Sequence, residues 1–401
     1  MLIQRKEYLG FLQLFKDRNL IKVISGIRRA GKSTLFELFE ELLKEQGVQE
    51  EQIISINFES PEYDGISWKT LYFQIKEQLN PNKQNYVFLD EIQNVEKFEK
   101  VVDGLYILKN VDLYITGSNA YFMSGELATY LSGRYIELKM LPLSLTEYKE
   151  GNPNLSKNEL YQKYITKSSF PYTLFIADKA ITTYLKDIYN TVFLKDIVQR
   201  YRISDILTLE SISKFMLDNI GNRLSSRKIT DTLTSNGRKI NSKTTEKYVQ
   251  ALRDSLLFYE AKRYDVKGKQ HLKFYEKFYV VDCGIRYSLL GKKAFDHGKV
   301  LENVIYLELL RRGYDVYIGK IDDLEVDFVA FNSDGVKYYQ VALTVRDEKT
   351  LLRELTSLGN INDHYPKFLL TLDDDPIMYH NGIKQINAID WLLENRDNKH
   401  D

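Results

Sequence analysis

Nine residues, Gly26-Ile27-Arg28-Arg29-Ala30-Gly31-Lys32-Ser33-Thr34, constrain this chain more than any other stretch. They follow an apolar β-type run, Ile21-Lys22-Val23-Ile24-Ser25. A helical pattern comes next, with apolar residues at Leu35, Phe36, Leu38, Phe39, Leu42 and Leu43. Strand, glycine-bounded loop and helix in the spacing G-x-x-x-x-G-K-[ST] make a phosphate cradle. Gly26 and Gly31 permit the tight bend that turns successive N–H groups inward, and the positive end of the new helix faces the same anion. Lys32 places a point charge on the terminal phosphates, and the Ser33 hydroxyl can ligate Mg²⁺. A chance match in a solvated basic loop would not need a strand before it and a helix after it. All nine residues are candidate nucleotide contacts.

A second strand, Gln52–Phe58, is followed by a helix over about 67–79. The strand Tyr86-Val87-Phe88-Leu89-Asp90-Glu91 then ends in two acids. An apolar strand ending in Asp-Glu is the expected partner of a phosphate loop: Asp90 belongs to the Mg²⁺ shell and Glu91 polarises the attacking water. Glu91 points to hydrolysis of ATP rather than transfer to a small molecule, and no N-K-x-D guanine signature is present. A further strand, Asp112–Thr116, leads to Gly117-Ser118-Asn119. Ser118 and Asn119 are candidate sensors of the γ-phosphate, although Asn119 could equally cap the next helix. Arg134 opens the fifth strand. It is a candidate arginine finger or γ-phosphate sensor, with a structural salt bridge as the alternative.

At 401 residues, two or three domains are expected. The single cysteine, Cys283, excludes an intrachain disulfide and a cysteine-cluster metal site. The amino terminus lacks the apolar core of a signal peptide, and no uncharged apolar run approaches the ~20 residues of a membrane helix. A soluble, cytoplasmic protein with no membrane partner is expected.

The ordered set Gly26–Ser33, Phe88-Leu89-Asp90-Glu91-Ile92-Gln93, Thr116-Gly117-Ser118, Leu131-Ser132-Gly133-Arg134 and Pro142-Leu143-Ser144 resembles the prokaryotic AAA-superfamily ATPases that carry a carboxy-terminal DUF4143 domain. Ser169-Phe170-Pro171 fits a small-residue-Phe-Pro signature of the same family. The resemblance covers nearly the whole chain and implies an α/β fold. Its core would be a P-loop NTPase parallel sheet of the additional-strand, catalytic-glutamate type. A helical lid with a winged helix and a small α/β restriction-endonuclease-like domain would follow. The implied boundaries are 1–150 for the ATPase, 151–210 for the lid, 211–284 for the winged helix-turn-helix and 285–401 for the DUF4143-like domain.

The middle of the chain is basic. Residues 221–277 hold fourteen Lys/Arg against six acids. Helices over Ser211–Ile220, Ser225–Thr232 and Thr244–Leu257, then a hairpin turning at Lys267-Gly268-Lys269, read as a winged helix-turn-helix. Lys239, Lys243, Lys247 and the wing tip would be its contacts to duplex DNA. Protein contacts alone, with a basic solvated face, are the alternative. Residues 322–401 hold sixteen acids and eight Lys/Arg; this acidic end pairs with the basic middle either within or between subunits.

In the last segment, Glu302 on a helix and Asp327 on a strand stand where a restriction-type nuclease holds Mg²⁺. Gln340-Val341-Ala342 occupies the place of the E-x-K element. Gln is a neutral ligand and Ala cannot orient water, so nuclease chemistry is not expected here. The whole chain reads as an ATP- and Mg²⁺-dependent ATPase acting as a nucleotide switch, coupled to DNA or to an unknown protein partner, with a homo-oligomer also open. The alternative is a nucleotide-gated DNA-binding regulator with negligible turnover.

Overall fold

The computed structural model describes residues 3–117, 131, 133–291 and 296–394. They fall into two compact units, Met1–Leu141 and Pro142–Asp401. The first unit therefore closes before the expected boundary near 150, and the three segments expected beyond it form one body.

The first unit contains β1 (Ile21–Ser25), β2 (Ile53–Asn57), β3 (Asn85–Asp90), β4 (Val111–Gly117) and β5 (Tyr135–Lys139). Among the described residues they form one parallel sheet in the order β2-β3-β4-β1-β5. β4 lies between the loop strand and the Asp-Glu strand, as the additional-strand arrangement requires. β1 and β3 are buried at every position, because helices cover both faces of a parallel sheet. Ile21, Val23, Val87, Leu89, Leu113 and Ile115 face one layer. That layer is α3 (Trp68–Gln78) and α4 (Phe98–Tyr106), which contribute Leu71, Ile75, Val101, Val102 and Leu105. Ile24, Phe88 and Tyr114 face the other, formed by α1 (Lys6–Phe15) and α2 (Lys32–Glu45) through Tyr8, Leu12, Leu35, Phe36 and Phe39. Each such fully buried side chain contributes about 1.5–3 kcal/mol.

One residue breaks the apolar pattern. Lys22, the second residue of β1, is completely buried and pairs with Asp112 of β4. Asp112 also accepts from Tyr114 Oη at 2.8 Å and from the Asp17 backbone N–H at 2.8 Å, while Lys22 Nζ donates to the Arg18 carbonyl at 3.0 Å. Burial lowers the Lys22 pKa and raises that of Asp112. A buried pair of this kind survives because every polar atom has a partner. It ties the segment entering β1 to β4, at the sheet edge opposite the loop.

The second unit begins with α5 (Leu145–Glu150), α6 (Lys157–Lys167) and α7 (Asp178–Thr191), which runs on as a π-helix over Val192–Gln199. Asp282 explains the Ser169-Phe170-Pro171 motif. One carboxylate oxygen accepts from Ser169 N and Oγ at 2.7 and 2.6 Å, while the other caps α11 (Cys283–Leu290) through Ile285 N at 2.9 Å. Gly284 is required beside it, since a Cβ would lie 2.8 Å from the Lys167 carbonyl.

The three helices expected over 211–257 are present as α8 (Ile206–Asp218), α9 (Ser226–Ser235) and α10 (Ser242–Asp254). The first of these starts five residues earlier than expected, capped by Asp205. The hairpin β7 (Phe258–Asp265) and β8 (Gln270–Val280) is not a free wing. β7 pairs in parallel with β9 (Asp315–Ile321), Arg263 opposite Ile318. Tyr264 packs across this seam against Tyr317 and Phe331. The hairpin joins β6 (Arg223–Leu224) and the strands from β10 (Leu324–Asn332) through Ile383–Asn387 in a nine-stranded sheet, among the described residues. The sequence boundary at 284 therefore cuts through a continuous sheet. Alternation cannot show which strand a hairpin's outer edge will meet.

Candidate nucleotide site

β1 delivers the chain to Gly26 at the carboxyl edge of the parallel sheet, the edge at which open α/β sheets bind ligands. Gly26 lies against Met140, where a Cβ would come 2.5 Å from the carbonyl oxygen. Arg29 and Gly31 adopt left-handed backbone, with φ of 68° and 100°. These turns bring backbone N–H groups to one side of the loop. α2 starts at Lys32, directly after Gly31, so its positive end points into the same concavity. Lys32 is buried; its Nζ donates to the Gly26 carbonyl at 3.1 Å and lies 3.2 Å from Glu91 Oε1. Arg28 reaches outward to Glu59 at 2.9 Å.

Asp90 ends β3 beside this lysine. It accepts from Asn57 Nδ2 at 3.1 Å, from the Thr116 hydroxyl and from Ser33. Burial holds its pKa above the usual carboxylate range despite the Ser33 and Thr116 hydrogen bonds. Glu91 is in left-handed backbone, φ 53°, and its N–H donates to Thr116 Oγ1 at 2.9 Å. Its carboxylate is held at both ends, Oε1 by Lys32 and Oε2 by Gln93 Nε2 at 2.6 Å. Burial works against the charge, but Lys32 first and Gln93 next hold the Glu91 pKa below its ordinary value.

The structure thus brings Gly26, Gly31, Lys32, Ser33, Asp90 and Glu91 together. Their donor set fits a nucleoside triphosphate with Mg²⁺: inward N–H groups and an ammonium for phosphate oxygens, and a hydroxyl beside a carboxylate for the metal. Ser118 and Asn119 lie outside the described residues. Arg134 is not at the site. Its carbonyl accepts from Ile21 N at 2.8 Å, so it sits at the amino-terminal end of β5, about 16 Å of strand from the loop. Its guanidinium pairs with Asp103 at 3.0 Å. Asn57, Thr116 and Gln93 received no role from sequence. Each is a polar residue at or just after the carboxyl end of an apolar strand beside Asp90, and that placement is the signal that could have found them.

A second polar centre lies in the other unit. Glu302, on α12 (His297–Arg311), and Asp327, on β10, do come together, but around a lysine from β8. Lys277 Nζ lies 2.7 Å from Glu302, 2.8 Å from Glu325 and 3.8 Å from Asp327. Tyr279 Oη and Lys299 also donate to Glu302, at 2.7 and 3.0 Å, and Arg223 to Glu325 at 2.6 Å. Burial opposes the Lys277 charge, yet Glu302, Asp327 and Glu325 together hold its pKa above the ordinary value. Burial and the Glu302 charge push Asp327 up to about 7. Gln340 is turned to Asp327 N and Glu354, at 3.2 and 2.8 Å. Among the described residues, no group of three or more His, Cys, Asp or Glu is arranged to hold a metal.

Of the basic residues in 221–277, Arg227, Lys228, Arg238, Lys239, Lys243 and Lys247 are exposed on α9, α10 and their connection. Others are committed to acids: Lys277 is buried, Arg223 pairs with Glu325, and the wing-tip Lys267 pairs with Asp322 at 3.0 Å. These last contacts join the basic middle to the acidic end within one chain.

Residues 18–149 match the model of an AAA domain, and residues 158–296 match a domain of unknown function, DUF8612, which differs from the DUF4143 of the resemblance. An uncharacterized protein of Haemophilus influenzae is 39% identical over 98% of this chain and 99% of its own length. One of Methanocaldococcus jannaschii is 30% identical over 79% of this chain and 73% of its own. A Walker-type ATPase of Pyrococcus abyssi shares the fold, with a TM-score of 0.50 at 17% identity over 72% of this chain and 96% of that one. No helix among the described residues is long and apolar enough to cross a membrane.

Proposed function

The chain belongs to the same family as the uncharacterized proteins of Haemophilus influenzae and Methanocaldococcus jannaschii, and its residues 18–149 match an AAA domain; on that premise we propose that it hydrolyses ATP at the Lys32–Asp90–Glu91 site as a slow nucleotide switch. The observation that carries this reading is the convergence on one sheet edge of a buried loop lysine, a carboxylate beside a hydroxyl, and a second, differently held carboxylate.

The loop N–H groups and Lys32 bind the β- and γ-phosphates. Ser33 and Asp90 would hold Mg²⁺, which would supply charge neutralisation when bound. Asn57 and Thr116 fix Asp90. Glu91 accepts the proton of the attacking water. Arg134 cannot reach its own nucleotide from the far end of β5, which leaves the arginine-finger role to a neighbouring copy in a homo-oligomer. The reading of the Glu302–Asp327 region as a degenerate nuclease fold is part of the same proposal, without a boundary at 284. Wild-type protein is expected to turn over ATP with Mg²⁺ at a rate that Lys32→Ala abolishes; equal phosphate release by the two would overturn the reading.

The six exposed basic residues on α9, α10 and their connection favour duplex DNA as a partner of the second unit. Lys243→Glu with Lys247→Glu should weaken DNA binding at every sequence and flatten the log Kd against log salt slope by roughly two. An unchanged slope would remove this face from the interface. Turnover with and without DNA separates a DNA-coupled ATPase from a nucleotide-gated regulator.

A further inference from the structure

The phosphate loop is held from behind by a residue that precedes the first helix. Arg5 is buried, and its guanidinium forks between two carbonyls far apart in sequence. Nη1 donates to Ala30 at 3.2 Å and Nη2 to Leu141 at 2.6 Å. Ala30 belongs to the phosphate loop, and Leu141 lies just past the end of β5. The guanidinium also covers the Tyr8 ring, 4.7 Å from its centroid. Tyr8 Oη accepts from Leu141 N at 3.1 Å, so both polar groups of the Leu141 backbone are tied to the start of α1. Arg5 itself is in left-handed backbone, φ 49°, directly before that helix. A non-glycine residue keeps such a conformation only where its surroundings impose it.

We propose that Arg5 is a positioning residue of the nucleotide site, locking the Ala30–Gly31 peptide so that its N–H faces the phosphates. This rests on the nucleotide-binding part of the reading above. The Ala30 carbonyl and the Gly31 N–H share one planar peptide, and in a trans peptide the two point in opposite directions. Arg5 takes the carbonyl on the buried side of the loop, which turns the N–H to the other side, where α2 begins. Gly31 has a φ of 100° and no Cβ, so this plane would rotate at little steric cost if nothing held it. A guanidinium suits the task because its rigid fork engages two acceptors at once, whereas an ammonium is a single point. The Gly31 N–H meets phosphate oxygen in the ground state and in the transition state alike. Arg5 therefore acts on nucleotide binding rather than on the chemical step.

The test compares three variants by titration with a fluorescent ATP analogue and Mg²⁺, well below each protein's unfolding temperature, and by steady-state kcat and KM. Arg5→Met keeps an apolar stem over Tyr8 and removes both donors. It is expected to weaken binding of the analogue, and to raise KM, about tenfold or more, the worth of one hydrogen bond to a charged group. Its kcat should stay within about twofold of wild type. Arg5→Lys keeps the charge but not the fork, and should recover part of the lost affinity. Tyr8→Phe releases Leu141 N without touching Ala30, and should leave affinity within about twofold of wild type. If Arg5 only anchors α1, the Arg5 variants unfold at lower temperature while their affinity stays at the wild-type value, and that result overturns the proposal. An equal loss of affinity in Arg5→Met and Tyr8→Phe overturns it as well. Should Arg5→Met fail to fold, weaker binding by Arg5→Lys than by Tyr8→Phe is the expected result and equal binding the overturning one. Wild-type protein that binds the analogue without turnover fails the hydrolysis reading alone, and the affinities still decide; wild-type protein that does not bind it overturns both.

Discussion

Glu91→Gln is expected to bind ATP at least as tightly as wild type and to hydrolyse it about 10²- to 10⁴-fold more slowly, the range a positioned general base supplies. Two features set the direction of each effect. The substitution removes the carboxylate charge paired with Lys32 at 3.2 Å, so the ammonium becomes easier for a phosphate to recruit. It also replaces an acceptor for the water's proton with an amide that cannot take one. Thr116 and Asn57 continue to hold Asp90, so the metal side of the site should stay intact. A trapped, ATP-loaded protein is the signature to look for, with bound nucleotide retained through gel filtration. If Glu91→Gln turns over at the wild-type rate, the base lies elsewhere and the two grips on Glu91 serve only the fold.

The candidate nucleotide site was legible in sequence because its residues are local. Gly26 to Thr34 are contiguous, and Asp90-Glu91 are adjacent at a strand end, so spacing alone predicts that they meet at one sheet edge once strand and helix are read. What was not legible is what other strands bring to that edge. Asn57 and Thr116 reach Asp90 only because β2 and β4 flank β3, a neighbourhood set by sheet order. Arg134 fails to reach the loop for the same reason: β5 runs parallel to β1, which puts its first residue beside Ile21, at the wrong end. The wing was misread through a similar limit. Its two strands were found, but the parallel pairing of β7 with β9 is a contact across more than fifty residues of sequence, and nothing in either strand's alternation announces it.

Lys277→Met should destabilise the second unit by about 3–5 kcal/mol, the cost of leaving buried charges without a partner. The lysine is hidden in the Glu-Lys-Phe-Tyr run 276–279, where sequence shows only another basic residue of a basic segment, yet it neutralises three carboxylates drawn from α12 and β10. The penalty should also depend on pH, with a sign that can be worked out. In the wild type, burial is the largest influence and raises the folded pKa values of Glu302 and Glu325, but Lys277, joined by Lys299 and Tyr279 at Glu302 and by Arg223 at Glu325, holds them below their ordinary 4.5. Those groups therefore add stability above that pH and lose it as pH falls. Without the ammonium, burial dominates and the same pKa values rise above 4.5. Stability is then retained at low pH and lost as pH climbs through the raised values. Asp327, already up to about 7, moves the same way. The gap between the two proteins should be widest near pH 8 and shrink toward pH 4.5. Trp391, buried in this unit, reports the transition in a Trp68→Phe background, which removes the other tryptophan. Adding Glu302→Gln to Lys277→Met should recover part of the loss, since one uncompensated charge is removed with the partner it no longer has. A Lys277→Met protein within about 1 kcal/mol of wild type at all pH values would mean that the three carboxylates find other partners or water, and that the ammonium is not what lets this centre stay buried.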